Sequence, residues 1–382
     1  MKEVFAGAEN IISSLGFTCE ENICAILEGR PGIAPDVKHE YSPESLPLAL
    51  VERQRFGELS GGLNRKYTRL EKMFILSVKD SLARCGVDAS APDTLFLITT
   101  TKGNIELLDP AQKAAYGKDN IYLHGMAAKI TRFFGNPNQA VVVSNACVSG
   151  VLGLIYGQRL ISSGRYRNII VSGGDLLSEF IVSGFLSFQS LSPDACRPFD
   201  RSRNGLSLGE GCGTIVLSED PGIFAEGEPV RLAGGAGSND ANHISGPSRT
   251  GEGLYLAIRH ALRISGMDAK AIDSISAHGT ATLYNDEMES KAFCAAGMEN
   301  IPLNSYKGYI GHTLGAAGVI EAAICLQSMK RNLLFRSLGY HDHGVTGNIQ
   351  VIRQTQEMPV NTCLKTGSGF GGSNAALIFQ KM

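Results

Sequence analysis

The stretch VVVSNACVSGVLGLIYGQRL, Val141 to Leu160, runs from three β-branched residues into a glycine- and alanine-rich apolar segment, with a single cysteine at the join. Valines bounded by Ser-Asn read as a buried strand, and the longer apolar run after them reads as a helix. The same corner occurs a second time. CVSGVLGLI (147–155) is echoed by HTLGAAGVI (312–320), where Gly150 and Gly153 match Gly315 and Gly318 at an offset of 165. Cys147 and His312 therefore occupy corresponding corners, each at the start of a small-residue helix.

Two further echoes lie on either side of this one. GVDASAPDTL (86–95) returns as GMDAKAIDSI (266–275), each copy preceded by an amphipathic helical pattern and followed by a strand-like run, LFLIT or ISAH. The apolar stripes are Leu70, Met73, Phe74, Val78 and Leu82 in the first copy, and Leu254, Ala257, Ala261 and Leu262 in the second. GEGCGTIVL (209–217) returns as GFGGSNAAL (369–377). Three echoes in the same order predict two related halves, 1–222 and 223–382, with a seam in SEDPGIFAEGEPV near residue 222. Alternating helices and strands in each half predict an α/β protein built from two similar layered sheets.

Composition narrows the function. The chain has 382 residues, 43% apolar, with a net charge of −2, which suits a globular protein and gives no reason to expect nucleic-acid binding. MKEVFAGAENIISSLG reads as neither a signal peptide nor a spanning segment, so no membrane partner is expected. Nine cysteines at irregular spacing, without CxxC, argue against a disulfide framework or a zinc site and for a reducing cytoplasm. HDH at 341–343 lacks further spaced ligands and reads as a polar loop, so no metal is expected.

Four motifs carry the candidate chemistry. Free cysteine often behaves as a small hydrophobe, but Cys147 is expected at a helix N-terminus, where the helix dipole would favour the thiolate. Ala146, Ser149 and Gly150 leave room for a substrate. AHGTATLYND (277–286) ends a strand with His278 and follows it with Thr280 and Thr282, which would face a ligand's polar chain. NSYKGYIGHTLGAAGVIEAAICL holds Lys307, His312 and Glu321. A carboxylate at 321, among Ala317, Val319, Ile320, Ala322 and Ala323, needs a partner, with Lys307 or the His312 loop in reach. TGSGFGGSNAALIF contains a GxGxxG at Gly367, Gly369 and Gly372, but it precedes a strand, whereas a dinucleotide fingerprint follows one. Its glycines instead let backbone N–H groups approach a reacting centre. NRKYTRLEK reads as a solvated basic helix face.

NACVSG, AHGTAT, YKGYIGHTLGAAG and GFGGSN, in this order, resemble the β-ketoacyl-acyl-carrier-protein synthases, condensing enzymes of the thiolase-like fold. CRPFDRSRNGLSLGEGCGTIVLSE (196–219) and SLGFTCEENICAILEGRPGI (14–33) fit the same family, so the resemblance covers nearly the whole chain. It implies a five-layered αβαβα sandwich of two pseudo-duplicated halves, the first carrying the nucleophile and the second both histidines. It implies decarboxylative condensation of an acyl group on Cys147 with malonyl-acyl-carrier protein, with His278 and His312 donating to the malonyl thioester carbonyl. Lys307 and Glu321 would orient His312. The N–H groups of Cys147 and Phe370 would form an oxyanion hole, with Phe370 as a gate. Thr280 and Thr282 would hold the phosphopantetheine arm, and Arg65, Lys66 and Arg69 would dock an acidic carrier protein. No tightly bound cofactor is implied; a homodimer is. Two histidines set the chain apart from initiating synthases, which use Cys, His and Asn. Thiolases carry a second cysteine where Phe370 stands, and chain-length factors lack the nucleophile. The pattern departs from the family at Asn145, usually Thr, and at TTTKGNIELL (99–108). These departures keep open polyketide or aryl-polyene synthesis as alternatives to fatty-acid elongation, and also a non-catalytic or chain-length-setting partner subunit of a condensing heterodimer. A thiolase acting on coenzyme A thioesters is the remaining alternative, and the absence of a second cysteine at 370 speaks against it.

Overall fold

The computed structural model describes residues 2–35, 39–225, 229–240, 242–244 and 246–382. The predicted seam falls partly on 226–228, outside the described residues. Among the described residues one continuous sheet of eleven strands comprises two five-strand sets, the first and second sheets of the sandwich, and a short edge strand, Gln350–Val351, beside β8. The sets are β1 (Phe5–Ile12), β2 (Thr94–Thr99), β3 (Val141–Val143), β4 (Asn168–Asp175) and β5 (Gly211–Ser218), then β6 (Val230–Asn239), β7 (Ser274–Ser276), β8 (Pro302–Asn304), β9 (Thr362–Gly369) and β10 (Ser373–Lys381). The first five stand in the order β3-β2-β4-β5-β1 and the second five in the order β8-β7-β9-β10-β6. Each set has the same polarities, with two parallel pairings and then two antiparallel ones. The sets join edge to edge through only two residue pairs, Phe5 with Arg231 and Ala6 with Val230.

Seven helices concern the site: α1 (Arg69–Leu82), α2 (Leu123–Phe133), α3 (Ser149–Ser162), α4 (Glu179–Ser187), α5 (Glu252–Ser265), α6 (Leu283–Ala295) and α7 (Ala317–Arg331). Helices α3 and α7 touch each other and strands of both sheets, so they form the middle layer. α1 and α2 cover the outer face of the first sheet, α5 that of the second, and α6 lies against α5. The result is the five-layered α/β arrangement of the thiolase-like fold. Burial follows from it. β2 and β5 are buried along their whole length, as strands covered on both faces should be. α7 is buried around almost its entire circumference. α1, on an outer layer, keeps one buried stripe through Leu70, Met73, Phe74 and Val78 and begins with a capping box of Thr68 and Glu71.

The middle layer corrects the register of the repeat. A Cβ on Gly150 would lie 2.6 Å from Val319 N, and one on Gly318 would lie 2.4 Å from Val151 N. The two helices thus meet backbone to backbone at Gly150 and Gly318, which are related by an offset of 168 (318 − 150), not 165. Three residues account for the difference. Leu314–Ala316 form a 3₁₀ turn ahead of α7 that has no counterpart ahead of α3.

Candidate active site

Parallel strands deliver the chemistry to one end of the sandwich, the usual place for a site in an α/β sheet. In the first sheet, β3 leads to Cys147, β2 to Thr100, Thr101 and Lys102, and β4 ends on Asp175. In the second, β7 leads to His278 and β8 to Lys307, while β9 ends beside Phe370. Cys147, His278, His312, Thr280, Thr282 and Phe370 all line one cavity of about 230 Å³. The His278 and His312 rings lie 5.1 Å apart, edge to face.

Cys147 stands between β3 and α3 and retains 8% of its surface. Its predecessor Ala146 has φ 44°, and Gly311, the predecessor of His312, has φ 64°; both corners use a left-handed residue to aim the next side chain. Gly369 permits a close backbone approach. A Cβ there would sit 3.2 Å from Cys147 N. The Phe370 N–H donates to the sulfur. Asn145 accepts from the Ser373 hydroxyl at 3.2 Å, and its own N–H donates to Ser149 Oγ. The expectation of a thiolate is corrected: burial pushes the Cys147 thiol up to about 11, outweighing the pull of Lys307 and Lys102. Neither ammonium forms an ion pair or hydrogen bond with the sulfur, so burial favours the neutral thiol.

Both histidines are buried and neutral. Burial, reinforced by the Lys307 charge, holds each imidazole well below its ordinary pKa. Their tautomers follow from their neighbours. The Leu314 N–H donates to His312 Nδ1 at 3.3 Å, so the ring proton sits on Nε2, which is buried and has no protein partner. The Lys307 ammonium lies 3.3 Å from His278 Nδ1 and also donates to the His278 carbonyl. An ammonium can only donate, so His278 likewise carries its proton on Nε2. Two imidazole N–H donors therefore serve one cavity.

Lys307 and Glu321 do touch, at 2.5 Å. The role predicted for them is corrected, because the pair contacts His278 and not His312. Lys307 opens the one-turn helix Lys307–Ile310, and its ammonium reaches the His278 carbonyl just after β7. Sequence reasoning missed Lys365 on β9. Fully buried, it pairs with Glu321 at 2.8 Å and donates to the Thr366, Ser276 and Ala277 carbonyls. An isolated lysine in the strand TCLKTGSG was the available signal.

Two missed acids on α6 fasten the His278 loop. Glu289 accepts the His278 and Gly279 N–H groups at 2.8 and 2.6 Å, and Asp286 accepts those of Thr280 and Ala281. Burial and the neighbouring Asp286 push Glu289 up to about 7. Asp175, also missed, takes the Gly315 and Thr101 N–H groups and the Thr100 hydroxyl, tying the His312 turn to the end of β2. These acids are spaced like surface residues in the sequence, and only the fold shows them turned inward.

Thr280 and Thr282 bond to each other at 2.9 Å, and Thr282 also caps α6. Phe370 packs against Phe185 and Phe188. It is a wall shared with a second cavity of about 630 Å³ along α4, which also reaches Cys147. The predicted basic face is corrected. Arg65 and Lys66 are exposed in the turn before α1, but Arg69 turns inward and grips the buried Glu210 with both terminal nitrogens, at 2.9 and 2.8 Å.

Known proteins share the family and the fold. The beta-ketoacyl synthase N-terminal domain model matches residues 50–221, and the corresponding C-terminal domain model matches residues 231–341. A 3-oxoacyl-[acyl-carrier-protein] synthase 2 of Rhizobium meliloti is 34% identical over 100% of this chain and 99% of its own. The granaticin polyketide putative beta-ketoacyl synthase 1 of Streptomyces violaceoruber is 27% identical over 83% of each chain. Among solved structures, a chain of the Xenorhabdus doucetiae ketosynthase in complex with its chain length factor superposes with a TM-score of 0.84 at 27% identity, covering 100% of this chain and 98% of that one. The ishigamide ketosynthase/chain length factor gives a TM-score of 0.89 at 25% identity, over 100% and 99%.

Proposed function

The chain belongs to the beta-ketoacyl synthase family, and from that premise we propose that it condenses an acyl group held on Cys147 with a malonyl unit carried by acyl carrier protein, releasing a 3-oxoacyl-carrier product. The carrying observation is the buried, unpartnered Nε2–H of His312 beside His278 in the cavity that holds the Cys147 sulfur.

The sulfur attacks the acyl thioester. The carbon–sulfur bond to pantetheine breaks, and the thiol proton leaves with the pantetheine sulfur. Malonyl thioester then binds with its carbonyl oxygen on the two imidazole N–H groups. As the carboxylate carbon departs as carbon dioxide, its bonding pair moves into the thioester enolate, and charge grows on that oxygen. Donors fixed there beforehand stabilise this charge more than the ground state. The enolate carbon attacks the acyl carbonyl, whose oxygen is received by the Cys147 and Phe370 N–H groups. The carbonyl re-forms as the carbon–sulfur bond to Cys147 breaks, and the released sulfur takes a proton from water to restore the thiol. Lys307, with Lys365 and Glu321 behind it, keeps His278 neutral and in the donor tautomer. Phe370 moves aside to join the two cavities. Thr280 and Thr282 receive the phosphopantetheine arm. Loss of carbon dioxide drives the sequence without a tightly bound cofactor.

We read 1–222 and 223–382 as the units of the duplication, the first contributing the nucleophile and the second the histidines. Arg65 and Lys66, without Arg69, remain as the carrier-docking charges. A homodimer is supported by the open sheet edge at β3, whose three valines are only half-buried. The free cysteines fit a reducing cytoplasm, and among the described residues no helix is long and apolar enough to cross a membrane. The test is incubation with acyl-carrier and malonyl-carrier protein, read by mass spectrometry. A 3-oxoacyl product is expected. Folded protein giving none across a range of acyl chains would overturn the reading in favour of a non-catalytic partner subunit.

A further inference from the structure

The second cavity holds a charge that an alkyl chain cannot use. It runs from Cys147 along α4 and is walled by Phe180, Ile181, Phe185, Phe188, Leu314 and Phe370. Into this apolar space the loop after β2 places Lys102, which is half-buried. Among the described residues its ammonium makes one hydrogen bond, a long one of 3.5 Å to the hydroxyl of Thr101. Among the described residues no carboxylate lies within ion-pair distance of it. The one in the neighbourhood, Asp175, is already occupied by the Thr100 hydroxyl and by the N–H groups of Thr101 and Gly315. The ammonium is nevertheless close enough to bias both Cys147 and His312 electrostatically.

A saturated chain lying in the cavity would cover this ammonium and strip its water without replacing it, an unfavourable exchange. An oxygen on the chain would replace that water. Taking the acyl-on-Cys147 reading as given, we propose that Lys102 is a specificity-determining residue that selects acyl groups bearing an oxygen acceptor, a carboxylate or a ketone, over plain alkyl chains of the same length.

The test compares Cys147 acylation by hexanoyl-, 3-oxohexanoyl- and adipoyl-pantetheine thioesters, which share one carbon count, followed by intact mass. At least one oxygenated thioester is expected to load about tenfold faster than hexanoyl, and the arm that wins tells ketone from carboxylate. Lys102→Met should erase this ratio while Lys102→Arg keeps it, since the cation is retained. Equal or faster hexanoyl loading by the native protein, or an unchanged ratio in Lys102→Met, overturns the role of Lys102 alone. If none of the thioesters loads while iodoacetamide still labels Cys147, the acyl-carrying reading itself fails, and this inference falls with it.

Discussion

The corner at Cys147 and the corner at His312 share one backbone plan and differ in what surrounds them. Each follows a residue in the left-handed region and precedes a helix of the middle layer. Cys147 stands two residues before α3, whereas His312 stands five before α7 because of the 3₁₀ turn Leu314–Ala316. That turn supplies the Leu314 N–H that fixes the His312 tautomer, and the Gly315 N–H that Asp175 holds. The thiol corner lacks such an insertion and leaves its reactive atom on the cavity wall. Duplication thus gave two equivalent positions, and three extra residues turned one of them from a place for a nucleophile into a place for a fixed donor.

Separating the two roles is the strongest way to break this comparison. Cys147→Ala should abolish condensation, a loss on the order of a thousandfold or more, while malonyl-carrier decarboxylation by the two histidines persists. His312→Ala should do the reverse, with intact mass still showing acylation of Cys147 and carbon dioxide release falling away. Loss of both activities in both variants would mean that the corners do not divide the work.

The buried charges come next. Glu321 pairs with two buried lysines, Lys307 and Lys365. Glu321→Gln leaves both ammonium groups without their anion and should cost about 3–5 kcal/mol in urea unfolding. Lys307→Met, by contrast, keeps the Lys365–Glu321 pair and should cost less stability. It should still slow decarboxylation, because His278 loses the neighbour that sets its tautomer.

The two corners were unequally legible in the sequence. Cys147, His278 and His312 sit in short motifs whose small neighbours mark open space, and the echoes at 86–95, 147–155 and 209–217 announced two halves. The second lysine on Glu321 and the acids of α6 were invisible for a physical reason. Lys365, Glu289 and Asp286 lie in segments where charge normally means solvent, and only sheet order brings Lys365 beside Ser276. The state of the thiol was not legible either, because a helix N-terminus lowers a pKa only while burial does not dominate, and sequence does not show that burial.

The balance between burial and the helix N-terminus at Cys147 can be measured. With the thiol held near 11, the thiolate fraction rises about tenfold per pH unit below that value, and thiolate is the nucleophile. Iodoacetamide labelling of Cys147 should therefore climb by about a hundredfold from pH 7 to pH 9 without levelling. A plateau already reached at pH 7 would restore the thiolate corner.

The smallest effect concerns the register of the duplication. If the helices are related by an offset of 168, Gly150 and Gly318 are equivalent, and an alanine at either pushes its Cβ into the partner helix's backbone, 2.6 Å from Val319 N or 2.4 Å from Val151 N. Each substitution should cost about 1–3 kcal/mol. The double variant should cost less than their sum, because the first methyl has already separated the helices. At the offset of 165 suggested by the bare sequence, the partner of Gly318 would instead be Gly153. A Cβ at Gly153 meets the side-chain ends of Thr99 and Leu97, at 2.5 and 3.0 Å. Side chains can turn away where backbone cannot, so Gly153→Ala should be milder than Gly318→Ala and additive with it. Thermal melts of the three single and two double variants distinguish the registers: matched losses and non-additivity for the pair 150 and 318 support a backbone crossing at the centre of the molecule, while the same behaviour from Gly153 would return the axis to the sequence register.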